Sequence, residues 1–387
     1  MSGVIRAAAP LARMPDRRGY ILIVTKSRDD AFTALFFGGL PPDLRQRLRI
    51  LEFGRESLRD ALAGAAAVIV MRHGLFSFGS LSGCAGLLRV PRYYFLDDNL
   101  LLLHQEPEVY GPYWDRYTDD NVRRALAGYQ GVLLASEALA AYFRERRLHE
   151  RLILFPPIAV PVLRPRERRR PGDPFRVAFF GGEHRRDLLV EIVHPALRRL
   201  AEVRPVELVA AGIGAERFPP APRLTVASVP YDTSYQRALA ALALRRIDAL
   251  VHPTPPSRNN PYKNANVVIN ARAIGAVAVL SHVPPYDAFG ASPPALVCEN
   301  DAGAWYEALR TLEAESAAGD AIFARAVRYC ETAFSGASNA GAIAGMLDAH
   351  APPGRLAAAA RRIVSALPLG ADRLNQAARR AVRSRLP

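Results

Sequence analysis

The chain has 387 residues, half of them hydrophobic and 23% charged, which excludes a disordered or fibrous protein. That length suggests about two domains. Cys84, Cys298 and Cys330 show no paired spacing, so neither a disulfide framework nor a zinc site is expected, and a reducing cytosol fits. The net charge is +14, but residues 355–387 carry half of the excess, with eight arginines against one acid, Asp372. The body therefore gives no argument for a nucleic-acid partner, and none is expected. No run reaches signal-peptide or membrane-spanning length.

Residues 1–18 are expected to form a flexible N-terminus. A first domain, 19–160, then alternates apolar runs with helical patterns. Its strands are expected at 20–24, 66–71, 92–96, 131–136 and 152–155, with helices at 55–63, 118–129 and 136–147, the last capped by Ser136. Continuous apolar strands separated by helices indicate a parallel sheet covered on both faces. Arg72 and His73 follow one strand. Asp97 and Asp98, in "FLDDN", follow the next, at the carboxyl end where open α/β sheets bind ligands. Vicinal carboxylates there can accept from ligand hydroxyls, and equally can cap a helix or stand in a surface loop. His73 or His104 could assist proton transfer.

The proline- and arginine-rich stretch 156–174 reads as a link between domains, assigned to 161–175. The alternation resumes in a second domain, 176–345, with strands at 176–181, 206–211, 224–228, 248–252, 276–281 and 295–299. Helices fall at 186–203, 233–245, 264–274, 302–313 and 318–333. Two facing sheets could share one site.

Three segments of the second domain could carry chemistry. In "FFGGEHRRDLL", Gly181 and Gly182 let backbone approach an anion, and Arg185 and Arg186 can add charge to a phosphate. The bland alternative is a plain strand–turn–helix with solvated arginines. In "VPYDTSYQRALAALALRRIDALVHP", Tyr231 or Tyr235 could lie over a flat ring, or pack on the sheet edge. In "NPYKNANVVINARAIGAVAVLS", Lys263 precedes a helix that Asn264 can cap and Gly275 ends. Asn266 and Asn270 lie four apart on one face of it. A cation beside free helix amides suits a diphosphate, and Asn270 could bond a sugar or ribose hydroxyl.

These segments, in this order, resemble the C-terminal domain of GT-B glycosyltransferases of the retaining, family-4-like, nucleotide-sugar-using kind. "RYYFLDDNLLLLH" looks like the acidic element of bacterial members acting on surface polysaccharides. The resemblance implies an α/β fold of two Rossmann-like domains facing across a cleft. It implies a hexosyltransferase-like enzyme that moves a sugar from a UDP- or GDP-linked donor to a glycan or lipid-linked acceptor hydroxyl. Lys263, Arg185 and Asp98 would be the catalytic group. Gly181, Gly182, Arg186, Tyr231, Asn264, Asn266 and Asn270 would bind the donor. No metal or resident cofactor is implied. Two departures stand out: Asn270 occupies the place of a ribose-holding glutamate, and the loop after the first strand lacks a double glycine. They leave a second reading open, a GT-B binding protein that has lost catalysis. A dehydrogenase or epimerase is disfavoured, because no strand is followed by G-x-G-x-x-G.

Residues 346–387 read as a basic amphipathic tail with apolar stripes at Leu356, Ala360, Ile363, Leu367 and at Leu374, Ala378, Val382, Leu386. Through 355–387 it could lie on an anionic membrane surface, stay solvated, or pack back on the first domain. The expected location is cytoplasmic, peripheral at the inner face of the plasma membrane if the tail binds there.

Overall fold

The computed structural model describes residues 19–52, 58–72, 75, 89–103, 105–106, 117–182 and 185–350. His73, His104, Cys84 and the amphipathic tail beyond His350 lie outside the described residues.

The first domain holds six strands: β1 (Tyr20–Thr25), β2 (Leu48–Glu52), β3 (Ala65–Met71), β4 (Arg92–Leu96), β5 (Gly131–Leu134) and β6 (Leu152–Leu154). They pair in parallel in the order β2-β1-β3-β4-β5-β6. The second domain holds β7 (Phe175–Phe179), β8 (Val206–Ala211), β9 (Leu224–Val229), β10 (Ala249–His252), β11 (Val277–Ser281) and β12 (Leu296–Cys298). These run parallel in the order β12-β11-β10-β7-β8-β9. The strand order reverses between β1 and β3 in one sheet and between β7 and β10 in the other. A crevice opens beyond the carboxyl ends at such points.

The central strands β1, β3 and β11 are buried along their whole length, which is why each reads as an unbroken apolar run. Strand β2 was not expected. It is one of the two edge strands, and its Arg49 and Glu52 stay half-exposed, so charge interrupts the apolar signal. Ser136 caps the helix Glu137–Glu145, its Oγ accepting from the Leu139 amide at 3.2 Å.

The link between domains is more fixed than its composition suggests. Ile158 is buried and donates its amide to Leu35 O. The amides of Leu163 and Arg164 both donate to Ala273 O, at 2.8 and 3.1 Å. Arg166 pairs with Asp320 at 3.0 Å, and Arg169 with Glu313 at 3.2 Å. Gly275, at φ +76°, ends the preceding helix directly under this strap.

The helix Ala337–Ala349 was not expected as an element; its residues, assigned to the second domain up to 345 and to the tail beyond, return to the first sheet. Its Ile343, Met346 and Leu347 join the apolar cluster that contains Ile21, Ile23 and Ile69. The fully buried Asn339 donates its Nδ2 to Phe36 O and Pro156 O, at 3.2 and 2.8 Å. The return buries those apolar side chains against the first sheet.

Candidate functional site

On the first domain the site is built from the ends of β3 and β4. Asp97, Asp98 and Asn99 follow β4, with Asp97 8% exposed and Asn99 fully buried. Arg72 follows β3 in a strained backbone conformation, φ +27°. Three contacts hold it there. Its amide donates to Phe95 O at 2.9 Å, and its carbonyl accepts from Tyr94 Oη at 2.7 Å and Tyr117 Oη at 3.4 Å. Its guanidinium carbon stands 4.7 Å from the Phe32 ring centroid.

Arg72 faces both carboxylates. Its Nη2 donates to Asp98 Oδ2 at 2.7 Å, and its Nε lies 3.0 Å from Asp97 Oδ1 without the alignment of a hydrogen bond. The two acids diverge as a result. Burial pushes the Asp97 carboxyl up to about 7, against the pull of Arg72 and with the help of the Asp98 charge. Burial opposes ionisation of Asp98 too. There the Arg72, Lys263 and Arg185 charges and a hydrogen bond from Asn259 outweigh it, holding the carboxyl below its usual range. One acid is fixed as an anion, while the other can hold a proton near neutrality.

On the second domain the site is built from the ends of β7 and β10. The chain leaves β7 through the exposed Gly181 and Gly182 and reaches Arg185, which is 8% exposed. A Cβ on Gly181 would sit 3.1 Å from the Phe179 ring and 3.5 Å from Arg185 Cδ. The glycine thus leaves room for the Phe179 ring; the contact with Arg185 would be an ordinary one. Helix follows from Arg186 through a π-turn, Leu189–Val193, to Ala201.

The chain leaves β10 through a proline-rich loop and the single 3-10 turn Asn260–Tyr262, which ends at Lys263. The next helix is Asn266–Ala273, and its N-cap is Ala265, with no side-chain cap. Asn264 therefore does not cap it, because the helix starts two residues later than expected. Instead Asn264 Nδ2 and Asn266 Oδ1 are buried at the helix start without a hydrogen-bond partner among the described residues. Buried polar atoms normally find one, so this pair beside helix amides without a side-chain cap could receive a polar ligand.

Lys263, Arg185 and Asp98 are thus brought together: the charges of both cations act on Asp98, and that of Lys263 also on Asp97. Gly181 and Gly182 adjoin Arg185, and Asn264 and Asn266 follow Lys263 in the chain, on the second domain. Four other candidate residues lie elsewhere. Asn270 is buried, and its Oδ1 accepts from Tyr235 Oη at 2.5 Å, which ties two helices of the second domain together. Tyr235 is itself buried: its amide donates to Asp29 O of the first domain at 2.9 Å, while its ring packs beside Phe180 and its hydroxyl bonds Asn270. Tyr231 is 77% exposed. It lies beside Gly212, where a Cβ would come 3.4 Å from the Tyr231 ring. Arg186 lines a neighbouring hollow of about 200 Å³ with Asp187, Gly212, Gly214, Glu216 and Arg217.

Sequence reasoning missed Asn259, which bonds Asp98 and Asn99 across the domain boundary. Its only signal was membership of the polar loop before Lys263. Among the described residues, no group of three or more His, Cys, Asp or Glu could hold a metal. No helix among them is long and apolar enough to cross a membrane.

No family model matches the chain, and no curated protein does. Solved structures do. A sucrose-phosphate synthase from Thermosynechococcus elongatus aligns with a TM-score of 0.56 at 15% identity, over 86% of this chain and 99% of its own. A glycosyltransferase from Rickettsia africae aligns with a TM-score of 0.56 at 10% identity, over 86% and 99%. A DNA-modifying β-glucosyltransferase, whose substrate is uridine diphosphoglucose, aligns with a TM-score of 0.51 at 10% identity, over 85% and 99%. At these identities the likeness is one of fold. The chain has the GT-B architecture: two Rossmann-like α/β domains with their carboxyl edges face to face.

Proposed function

We propose that this protein is a glycosyltransferase. It moves a hexose from a UDP- or GDP-linked donor to a hydroxyl of a glycan or lipid-linked acceptor, with retention, in cell-surface polysaccharide synthesis. The carrying observation is the vacant polar pair Asn264 Nδ2 and Asn266 Oδ1 at an uncapped helix start, with Lys263 and Arg185 beside it. On the donor side, Lys263, Arg185 and the Asn264 Nδ2 donor suit an anion, while Asn266 Oδ1 suits a sugar hydroxyl; Asp97 and Asp98 lie on the acceptor side.

The division of labour follows from the charges. Lys263 and Arg185 neutralise the departing nucleoside diphosphate, aided by the helix amides. Gly181 and Gly182 admit the phosphates close to backbone. Arg186 and Tyr231 flank the nucleoside end. Asp98, held as an anion by Arg72, accepts from acceptor hydroxyls and fixes their orientation. The nucleotide sugar is a substrate, and the reading needs no resident cofactor or metal. The basic tail, 355–387, would bring the enzyme to an anionic membrane surface at the cytoplasmic face, where lipid-linked acceptors lie.

The test is release of nucleoside diphosphate from a panel of UDP- and GDP-sugars, with and without glycan acceptors, for wild type and Lys263→Ala. Release from one nucleotide class, lost in the variant, supports the proposal. A second reading, a sugar-nucleotide-binding protein without turnover, is favoured by one observation: Asn270 Oδ1 is already occupied by Tyr235. Tight binding with no release under any condition would select it.

A further inference from the structure

The loop that carries Lys263 is held by the other domain. Asn259, fully buried, uses both ends of its carboxamide across the boundary. Its Oδ1 accepts from the Asn99 amide at 2.7 Å, and its Nδ2 donates to Asp98 Oδ1 at 3.2 Å. The same loop makes further crossings. Ser257 Oγ donates to Glu106 Oε2 at 2.8 Å, and the Arg258 amide donates to Glu106 Oε1 at 3.0 Å. Tyr262 O accepts from Ser136 Oγ at 2.7 Å, from the hydroxyl that also caps the helix Glu137–Glu145. These contacts bracket Lys263, which follows Tyr262 directly.

Asn259 differs from the other crossings in what it touches. It binds the turn that bears both acceptor-side carboxylates, and it binds Asp98 on the oxygen that Arg72 leaves free. An amide suits this place for a simple reason. It must offer an acceptor to a backbone N–H and a donor to a carboxylate at once. Neither a carboxylate nor a hydrophobic side chain can do both. The charged groups facing this contact are Arg72, Asp97, Lys263 and Arg185.

We infer that Asn259 is a positioning residue: it latches the Lys263 loop of the second domain to the Asp97–Asp98–Asn99 turn of the first. The inference rests on the donor-site reading for what Lys263 does, but the latch itself does not. Donor cation and acceptor carboxylates are set against each other before either substrate arrives. Loosening the acceptor turn therefore loosens the donor site.

The test uses the full chain and three variants: Asn259→Asp, Asn259→Ala, and Asn259→Asp combined with Asp98→Asn. Amide hydrogen exchange is read by mass spectrometry without ligand, and UDP and GDP are titrated separately. Asn259→Asp replaces the donor facing Asp98 with a second carboxylate. Exchange in 257–263 is expected to speed up about ten- to a hundredfold, the range for losing a charged hydrogen bond. The double variant again pairs one amide with one carboxylate, so protection should return. A role in packing alone would give no such rescue. Whichever nucleotide binds the wild type should bind Asn259→Asp about tenfold more weakly and recover in the double variant. If Asn259→Ala fails to fold, the near-isosteric pair still decides.

Unchanged exchange in Asn259→Asp overturns the latch. Faster exchange with unchanged nucleotide affinity overturns the positioning role. If neither nucleotide binds the wild type, the donor reading fails and takes the positioning role with it, while the exchange data still decide the latch.

Discussion

Arg72 sits where two carboxylates and a strained backbone meet. Burying three charges costs several kcal/mol each and is offset only while all three stay paired. Arg72→Ala should therefore lose about 3–5 kcal/mol in urea unfolding, the range for stranding a buried partner. Arg72→Lys should lose less, since it keeps a charge but cannot reach both acids with one planar fork. Asp97 makes a separate prediction. Its folded pKa is raised to about 7, so between roughly pH 4 and 7 the folded state binds more protons than the unfolded chain. Its contribution to stability is then greatest in acid and falls as pH rises through that window. Asp98, with its pKa lowered, works in the opposite sense and only below that window. Asp97→Asn should flatten the wild-type decline, seen as a smaller pH dependence of the unfolding midpoint over that range. A variant as pH-dependent as wild type would remove Asp97 from the account.

At this scale the sequence was legible where a polar residue stands directly after an apolar strand, as Asp97, Asp98 and Arg72 do. It was not legible where a role depends on a distant partner. Asn259 bonds a residue 161 positions away, and no local pattern encodes that. Asn270 looked like a ligand residue because it lies on the polar side of its helix, yet Tyr235 from a neighbouring helix claims it.

Among the elements, glycine and edge effects decide what can be read. Gly275 was identified as a helix stop, and the structure adds a second constraint: a Cβ there would lie 2.8 Å from Pro165 O and 2.9 Å from Arg164 O. Gly275→Ala should cost at least about 1–2 kcal/mol for the positive φ alone, and more from the contact with the strap. A urea midpoint equal to wild type would show that the strap is not held as described. Eleven of the twelve strands announced themselves through apolar runs; β2 did not, because an edge strand may carry charge without burying it. The start of the helix Asn266–Ala273 was misplaced for a related reason. Asn264 has the composition of a cap, but the chain spends it as an unpartnered polar group at the crevice.

Across the whole molecule, among the described residues, the two domains are tied at several places, the Tyr235–Asp29 contact among them. The strap from Ile158 to Arg169 runs along the second domain, the helix Ala337–Ala349 returns to the first, and the loop 255–263 crosses between the carboxyl edges. The apolar cluster beneath them contains residues of both domains, Phe36 and Phe155 with Leu239 and Val268 among them. The GT-B architecture was visible in the alternation of strands and helices and in the order of three segments. The arrangement of the domains against each other was not, since it rests on pairings far apart in the chain.

The central claim is that the crevice between these domains receives a nucleoside diphosphate at Lys263. Its most direct test is calorimetric titration of UDP and of GDP into wild type and Lys263→Ala. The account predicts that one of the two binds wild type and binds the variant about ten- to a hundredfold more weakly, as expected for a lost charge-assisted contact, with little change in the unfolding midpoint. Equal affinity in both proteins, or no binding of either nucleotide to wild type, would contradict it.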